Sequence, residues 1–297
     1  MSMTTQQPTQ SGLTAGQLAA VRALGASAGG ASASRLLGLL YDPDVDLDRI
    51  LQCLHGEPVL AARVLKVANS PYYGQSGRVG SVQRALQLLG LSAIRGIAAA
   101  GALDRLLPSK AGHPFDPVRF RRHSGAVACA AQALARRLGT GIEGEAFLAG
   151  LLHDIGILLL VKADAPLMAA FQAAPGDDAQ QQAAEQAHFG LSHEAAGAVL
   201  IDAWALPAWL KSTVAAHHEA LRPGHACRAT AEDPLARLPL ILAVADRLAD
   251  QAGFGLWPRC AGALEASALA ALGVDQGQLE PIVVGIPVAV QALGLDG

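Results

Sequence analysis

Apolar side chains recur along this chain at the three- and four-residue spacing of α-helices. In the segment that opens at Glu57-Pro58, Leu60 and Val64 lie on one predicted face, and Pro71 is predicted to stop that helix. Runs that alternate β-branched and polar residues are almost absent, while alanine, leucine, glutamine and arginine dominate. The pattern predicts an all-α fold.

Several helix boundaries are predicted by specific signals. Ser81 is a predicted N-cap, Gly90 is predicted to end that helix, and Ser92 is predicted to cap the next one. Residues 144–160 are predicted to form a single apolar helix. The region from 263 to the C-terminus has a helical pattern, although residues 282–284 could equally be extended.

The stretch 108–117 contains helix-breaking residues and is the predicted boundary between two halves. Eight of the nine histidines lie after residue 110, so the halves differ in chemistry. We predict a disordered tail over residues 1–12 and an N-terminal helical subdomain over 13–110. A second helical subdomain with a C-terminal helical extension is predicted over 111–297, with the N-terminal bundle packed against it.

Composition narrows the class of protein. The chain has 297 residues, 52% of them hydrophobic, and a net charge of −3, so it lacks the basic excess that non-specific nucleic-acid binding requires. The polar N-terminus does not resemble a signal peptide, and apolar runs such as 97–103 and 155–161 fall short of a membrane span. We therefore expect a cytoplasmic protein with no membrane span and no nucleic-acid partner. The four cysteines form no CxxC pair, which argues against a thiolate zinc site.

Histidine and aspartate supply the candidate chemistry of the second half. The central pair is His153-Asp154, whose aspartate can bridge two cations. Imidazole and carboxylate groups from separate helices can form a mixed nitrogen and oxygen site for iron, manganese or another divalent metal. Such a site could activate water for phosphoester hydrolysis, with Asp154 as the candidate catalytic residue. The candidate ligands are His123, His153, Asp154, His193, His217, His218 and Asp246.

Each candidate also has a purely structural interpretation. His153 and Asp154 could form a metal-free polar network at a helix end, and His193 could simply pack over a helix start. Asp246 could pair with Arg247 or with its helix neighbours. The residues alone leave these alternatives open.

The ordered series His, His-Asp, His, His-His, Asp resembles the HD superfamily of metal-dependent phosphohydrolases. Longer segments are similar to the HDOD domain, an output-domain relative of the HD fold, and the likeness covers about residues 30–250. These segments are GEPVLAARVLKVANSPYYG, SVQRALQLLGLSAIRGI, FRRHSGAVACAAQALA, FLAGLLHDIGILLL and LSHEAAGAVLIDAWALPAWLKSTVAAHHE. The resemblance implies an all-helical bacterial signalling module, with an HD-like second bundle and often without a complete metal centre.

The seven candidate ligands match the ligand positions of the related HD-GYP phosphodiesterases. This chain departs from those enzymes at two places. It has Ile157 where they carry lysine after His-Asp-x-Gly, and no GYP signature follows His217-His218-Glu219. Loss of the lysine removes a charge that could meet a phosphate oxygen.

Three hypotheses follow. The first is a signalling module that acts mainly through contacts with sensor kinases, response regulators or cyclic-dinucleotide enzymes, with a retained metal site and little or no hydrolysis. The alternative is a metal-dependent phosphohydrolase, such as a cyclic-dinucleotide phosphodiesterase. A third is a site that binds metal or nucleotide only to stabilise a signalling conformation.

Overall fold

The computed structural model describes residues 31–42, 44–69, 79–109, 113–173, 178–221, 233–257, 264 and 266–293. Within these residues the protein is helical and contains no strand, which confirms the predicted all-α fold. The predicted tail over residues 1–12 lies outside the described residues.

The helices of the first half lead into the long helix α4. They are α1 (Ala31–Leu40), α2 (Leu47–His55), α3 (Pro58–Ala68) and α4 (Val82–Leu106). The second half comprises α5 (Pro117–Arg137), α6 (Glu143–Leu152), α7 (Ile155–Ala163), α8 (Ala165–Ala173), α9 (Asp178–Phe189), α10 (His193–Ala203), α11 (Ala208–Ala216), α12 (Leu238–Gln251), α13 (Ala266–Leu272) and α14 (Gln276–Ala292), with short 3-10 helices at Glu219–Leu221 and Pro234–Arg237.

Local signals explain where α4 begins and bends. The Ser81 hydroxyl accepts a hydrogen bond from the Arg84 amide at 3.2 Å, as expected of an N-cap. Gly90 has a φ of 73°, a left-handed conformation that kinks the helix. The non-helical backbone of Gly90 separates two helical stretches, so the predicted helix end at Gly90 is confirmed. The second stretch resumes directly after Gly90, so Ser92 lies inside it and not at its N-cap position.

Small residues bring the central helices of the second half close together. A Cβ at Gly150 of α6 would lie 2.6 Å from Cα of Ala128 on α5, so only glycine allows this approach. Helix α5 also packs against α12 and α14, and α7 packs against α10. These contacts bring α5, the end of α6 and α12 to one point in the core.

The two halves are joined mainly through α4. This helix packs against α1 and α3 in the first half and against α6 in the second. The predicted division between residues 110 and 111 falls in the connection from α4 to α5, and it stays a prediction.

The C-terminal region is helical where it is described. Residues 282–284 lie within α14, so the extended alternative considered for them is wrong. The Asp275 side chain and Gln278 form a capping box at the start of α14, which favours the helix despite Pro281 and Pro287 within it. Ile286 and Val290 of α14 are buried in the core.

Among the described residues, two stretches reach the length and apolar content of a membrane-spanning helix, Val82–Leu106 and Glu143–Ala163. This differs from the expectation that every apolar run is too short. In the second stretch 83% of the most apolar window is buried inside the protein, and His153 and Asp154 interrupt its helix. In the first stretch 44% is buried, and α4 packs on helices of both halves. We interpret both as helices of the bundle.

Candidate metal centre

The central histidine and aspartate lie in a break between two helices. Helix α6 ends at Leu152 and α7 begins at Ile155, so the single helix predicted over residues 144–160 is wrong. An aspartate that precedes a helix usually caps it, but the Asp154 side chain accepts no capping hydrogen bond. Its carboxylate is directed instead towards the surrounding imidazoles, at distances of 3.3 to 3.6 Å.

Gly156 explains why the break can approach its neighbours. A Cβ at this position would lie 1.9 Å from the carbonyl oxygen of His193 and 2.5 Å from the amide nitrogen of Gly197. Any side chain at 156 would therefore push α7 away from the start of α10. The glycine brings the Asp154 carboxylate within reach of His193.

The structure brings all seven sequence-predicted residues into one buried cluster, with exposed fractions between 1% and 9%. They come from α5 (His123), from the break after α6 (His153 and Asp154), from the first turn of α10 (His193), from the end of α11 (His217 and His218) and from α12 (Asp246). The five segments that supply these residues are separated by at least 24 residues, too many for sequence proximity to have required this convergence.

The first group of candidate ligand atoms lies around Asp154 Oδ2, and we call it position 1. It comprises His123, His153, Asp246 and Asp154 Oδ2. The His123 Nε2 atom lies 3.3 Å from His153 Nε2, 3.4 Å from Asp246 Oδ1 and 3.6 Å from Asp154 Oδ2.

The second group, which we call position 2, comprises His193, His217, His218 and Asp154 Oδ1. Asp154 Oδ1 lies 3.5 Å from His193 Nε2 and 3.6 Å from His217 Nε2, and the Nε2 atoms of His193 and His218 are 3.1 Å apart. The two oxygens of Asp154 thus face two different sets of imidazoles.

The spacing of these atoms fits ligands around a cation. Two atoms that each lie about 2.1 Å from a metal ion, at tetrahedral or octahedral angles, are separated by about 3.0 to 3.4 Å. The separations within both positions, 3.1 to 3.6 Å, are close to this range. Within the described residues, Asp154 Oδ1 and His217 Nε2 are buried and make no hydrogen bond. Both atoms could therefore serve a cation.

The far nitrogen of each imidazole is next to an acceptor. The Nδ1 atom of His123 lies 2.9 Å from the Phe254 carbonyl, and that of His153 lies 2.8 Å from the Gly150 carbonyl. The Nδ1 atom of His217 lies 2.7 Å from the Val214 carbonyl.

The remaining two imidazoles face carboxylates through Nδ1. His193 Nδ1 lies 2.7 Å from Glu185 Oε2, and His218 Nδ1 lies 3.2 Å from Asp178 Oδ2. These acceptors favour the tautomer with hydrogen on Nδ1 in all five rings, which leaves the Nε2 lone pairs directed into the cluster. Lone pairs that face one another at about 3 Å cannot form hydrogen bonds, whereas a cation between them would be bound.

Carboxylates dominate the electrostatics of two of the histidines. Burial by itself lowers the pKa of His123, but Asp154 and Asp246 outweigh it and raise the pKa above its usual value. Burial also lowers the pKa of His193, and Glu185 and Asp154 outweigh it and raise the pKa to about 10. In the absence of a metal, a proton on Nε2 of these rings takes the lone pair that a cation would use.

The pKa values of His218 and Asp154 are shifted downward. Burial and the adjacent His217 lower the pKa of His218 to about 3. Burial favours the neutral form of Asp154, but His153 and the other imidazoles outweigh it and hold the pKa well below its usual range. Asp154 is therefore an anion among imidazoles, an environment that attracts a positive ion.

Two residues of this site were not anticipated from the sequence. Glu185 is fully buried on α9, and its Oε2 accepts hydrogen bonds from both the backbone amide and the ring of His193. Asp178, at the start of α9, accepts from Arg247 at 2.6 Å and lies beside His218. The polar segment around them carried no signal beyond that of an exposed helix start.

The structure also decides two local expectations. Arg247, considered as a partner for Asp246, donates to Asp178, and Asp246 is buried beside His123. Ile157, at the position of the missing lysine, is completely buried, so the apolar residue belongs to the core of α7.

Helices that surround a buried His and Asp cluster define the chain as an HD-like helical protein. The family model of the HDOD domain matches residues 30–220, so the chain belongs to the HDOD family. Comparison with curated protein sequences gave no match.

Three solved structures are similar over most of this chain. A protein of Shewanella amazonensis SB2B, provisionally named a phosphohydrolase, is 25% identical with a TM-score of 0.67, and the match covers 94% of this chain and 98% of that one. An HDOD domain protein of unknown function from Geobacter sulfurreducens is 24% identical with a TM-score of 0.69, over 94% of this chain and 98% of that one. A Marinobacter aquaeolei VT8 protein, provisionally named for signal transduction, is 23% identical with a TM-score of 0.66, over 90% of this chain and 59% of that one. The two relatives below 25% identity support the fold alone.

Proposed function

We propose that this protein is an HDOD signalling module that holds divalent metal in the buried cluster and acts mainly through protein contacts. The observation that carries the proposal is the arrangement around Asp154. Its two oxygens face two sets of imidazoles, whose Nε2 atoms converge while each Nδ1 lies beside an acceptor. A metal-free polar network has no need of converging lone pairs.

The residues present fit one or two cations. His123, His153 and Asp246 would hold a cation at position 1, and His193, His217 and His218 would hold one at position 2, with Asp154 shared. Nitrogen and carboxylate ligands suit iron, manganese or another transition metal. When bound, such an ion links five helices or helix ends, and in an accessible site it can also lower the pKa of water.

Burial favours a structural and regulatory role over efficient turnover. The seven side chains are at most 9% exposed, whereas a cyclic dinucleotide needs an open pocket beside the metal. Two surface clefts formed by described residues, one beside Leu248 and Gln276 and one beside Val59 and Arg63, do not include the cluster. Ile157 also leaves position 157 without a cation for a phosphate.

The family and the contact of α4 with α6 indicate how a signal could travel. Helix α6 ends at the cluster, and α4 joins it to the first half. A metal that fixes the end of α6 would also fix the surface that the first half presents. We assign the partners to sensor kinases, response regulators or cyclic-dinucleotide enzymes of the cytoplasm, the classes that use HDOD modules.

Elemental analysis of the purified protein tests the metal directly. We expect one or two transition-metal ions per chain after dialysis against metal-free buffer, and none in the His153→Ala/Asp154→Ala double variant. His188→Ala is the matched control, because His188 is half exposed and pairs with Asp164 outside the cluster. Absence of metal in the wild-type protein, even after anaerobic reconstitution with Fe²⁺ or Mn²⁺, would overturn the proposal.

Metal-dependent phosphoester hydrolysis is the second candidate, favoured by the shared Asp154. Asp154 would be the residue shared between the two positions, and bound ions there would supply a lowered pKa for water and stabilisation of negative charge on a phosphoryl group. Metal-loaded protein should then hydrolyse a cyclic dinucleotide, and Asp154→Asn should abolish turnover. Absence of turnover by the metal-loaded protein, or equal turnover by Asp154→Asn, would exclude this candidate.

A further inference from the structure

The acceptors behind the imidazoles differ between the two sides of the cluster. At position 1, His123 and His153 are both next to neutral backbone carbonyls. At position 2, His193 and His218 are next to the carboxylates of Glu185 and Asp178. A carboxylate bound to one nitrogen of an imidazole makes the other ring nitrogen a stronger electron-pair donor to a metal and fixes the orientation of the ring.

Glu185 is placed to support the His193 ring in this way. It is completely buried, and its Oε2 lies 2.7 Å from His193 Nδ1 and 2.8 Å from the His193 backbone nitrogen. Its other oxygen accepts from Gln181 Nε2 at 2.9 Å. These three bonds fix the carboxylate on the ring, and it has no solvent to stabilise its charge.

Asp178 supports His218 less strongly. Its Oδ2 also accepts from Arg247 at 2.6 Å, so part of its charge is already neutralised. Its side chain is 16% exposed, whereas that of Glu185 is 0% exposed. Glu185 is therefore the main support of position 2.

The ligand atoms themselves also differ. Position 1 offers two imidazoles and two carboxylates, because Asp246 joins Asp154 there. Position 2 offers three imidazoles and the single Asp154 oxygen. Oxygen-rich sites suit Mn²⁺ or Mg²⁺, while imidazole-rich sites suit Zn²⁺, Fe²⁺ and other later metals.

From these differences we infer that the two positions select different cations: position 2 a later transition metal such as Zn²⁺ or Fe²⁺, position 1 a harder ion such as Mn²⁺. Glu185 is the positioning residue that sets the preference of position 2. The inference rests on the proposed metal-holding function and adds an order of filling to it. Position 2 fills first and exchanges more slowly than position 1.

The test loads metal-free protein with one equivalent of Zn²⁺ and excess Mn²⁺, removes unbound ions by gel filtration, and measures both elements. Electron paramagnetic resonance then reports the environment of the manganese. We expect about one Zn²⁺ and one Mn²⁺ per chain, with the six-line spectrum of an isolated Mn²⁺ ion. Asp246→Asn should lose the Mn²⁺ and keep the Zn²⁺, and His218→Ala should release the Zn²⁺.

Glu185→Gln keeps the shape of the side chain and removes its charge. We expect it to weaken Zn²⁺ retention against a chelator by about 10- to 100-fold while the Mn²⁺ spectrum of position 1 persists. Glu194→Gln is the matched control, because Glu194 is also buried but accepts from Gln182. Circular dichroism of each variant shows that the helices are intact.

The outcomes separate the two proposals. Two exchange-coupled Mn²⁺ ions in the presence of Zn²⁺, or equal loss of both metals in Glu185→Gln, would overturn the unequal positions and leave metal binding itself standing. Unchanged Zn²⁺ retention in Glu185→Gln would overturn the role of Glu185. Protein that takes up neither metal would overturn both the proposed function and this inference.

Discussion

Two polar networks among the described residues differ in how their polar groups are paired. At the junction of the halves, Asp104 of α4 contacts Arg63 of α3 and accepts from Arg121 of α5 at 2.9 Å. Each of these charged side chains is 20% to 33% exposed. Here cations meet an anion, and protein groups alone pair the opposite charges.

The His and Asp cluster is buried more deeply and contains no arginine or lysine among its seven side chains. Its nitrogen atoms face one another, so acceptors meet acceptors. The comparison shows that a buried polar group is informative through the sign of its neighbours. Opposite charges form a structural link, while converging imidazole nitrogens beside carboxylates match the donor set of a cation site.

The largest effect is expected from a substitution that displaces the His and Asp cluster and leaves the Asp104 network intact. Gly156→Ala places a methyl group 1.9 Å from the His193 carbonyl, so α7 must move. We expect a loss of more than about 3 kcal/mol in the free energy of unfolding and loss of metal retention, measured by urea titration and elemental analysis.

Gly285→Ala is the control for this change. A Cβ at Gly285 has no neighbour within 4 Å, so this substitution should leave metal retention unchanged and should raise the free energy of unfolding by at most about 1 kcal/mol, because alanine favours the helix over glycine. Metal retention at the wild-type level in Gly156→Ala would contradict the close packing of α7 on α10.

Metal addition sharpens the contrast, because only the cluster should respond. At a free metal concentration of 100 times Kd, binding stabilises the native state by about 2.7 kcal/mol. Thermal unfolding should therefore shift upward when metal is added to chelator-treated wild-type protein and not when it is added to Asp154→Asn. An equal shift in both proteins would show that the ion binds elsewhere.

A pH series on metal-free protein tests whether protonation of His193 stabilises the cluster when no cation is bound. The raised pKa of His193, about 10 against an ordinary 6.5, means that its protonated form stabilises the fold fully below pH 6.5. This contribution is lost as pH rises through about 10. The urea midpoint of metal-free protein should fall between pH 7 and pH 10, less so in Glu185→Gln.

Metal-loaded protein should show a flatter profile over the same range, because a bound ion needs the neutral ring. A metal-free profile that stays level from pH 7 to pH 10 would argue against the placement of Glu185 beside His193.

The junction should give the smallest effect. Asp104→Asn removes the anion between two guanidinium groups that solvent partly screens, so we expect a loss of about 1 kcal/mol that shrinks at high salt. Metal content should not change. Asp202→Asn, which breaks the exposed pair with Lys211, is the control and should cost less. Loss of metal in Asp104→Asn would show that the two networks are coupled.

Much of the fold and of the cluster could be predicted from the sequence, and the failures have physical reasons. The helical spacing of apolar residues and the ordered histidines were sufficient for the fold class and for the seven candidate residues. The break at His153 and Asp154 was missed because all of residues 144–160 are apolar enough for a continuous helix. What bends the chain there is the approach of Gly156 to α10, a tertiary contact with no local pattern.

Glu185 was missed for a related reason. Its helix is polar, with a single buried residue, and nothing in its spacing distinguishes a buried glutamate from an exposed one. Only the packing of α9 beside the start of α10 makes it the partner of His193. Hydrogen-bond partners of buried imidazoles are set by three-dimensional packing, so they are the part of a site least visible in a sequence.

The ends of the helices around the cluster carry partial charges of the backbone. Helices α6 and α11 stop at Leu152 and Ala216, and in each the next histidine is bonded to a carbonyl of the last turn. The negative ends of two helix macrodipoles are therefore directed at the cluster. The positive ends of α7 and α10 are also there; Asp154 directly precedes the first turn of α7, and the Glu185 carboxylate accepts from the first amide of α10. The helix ends therefore contribute opposing fields, and the negative charge that would attract a cation comes from the carboxylates of the cluster.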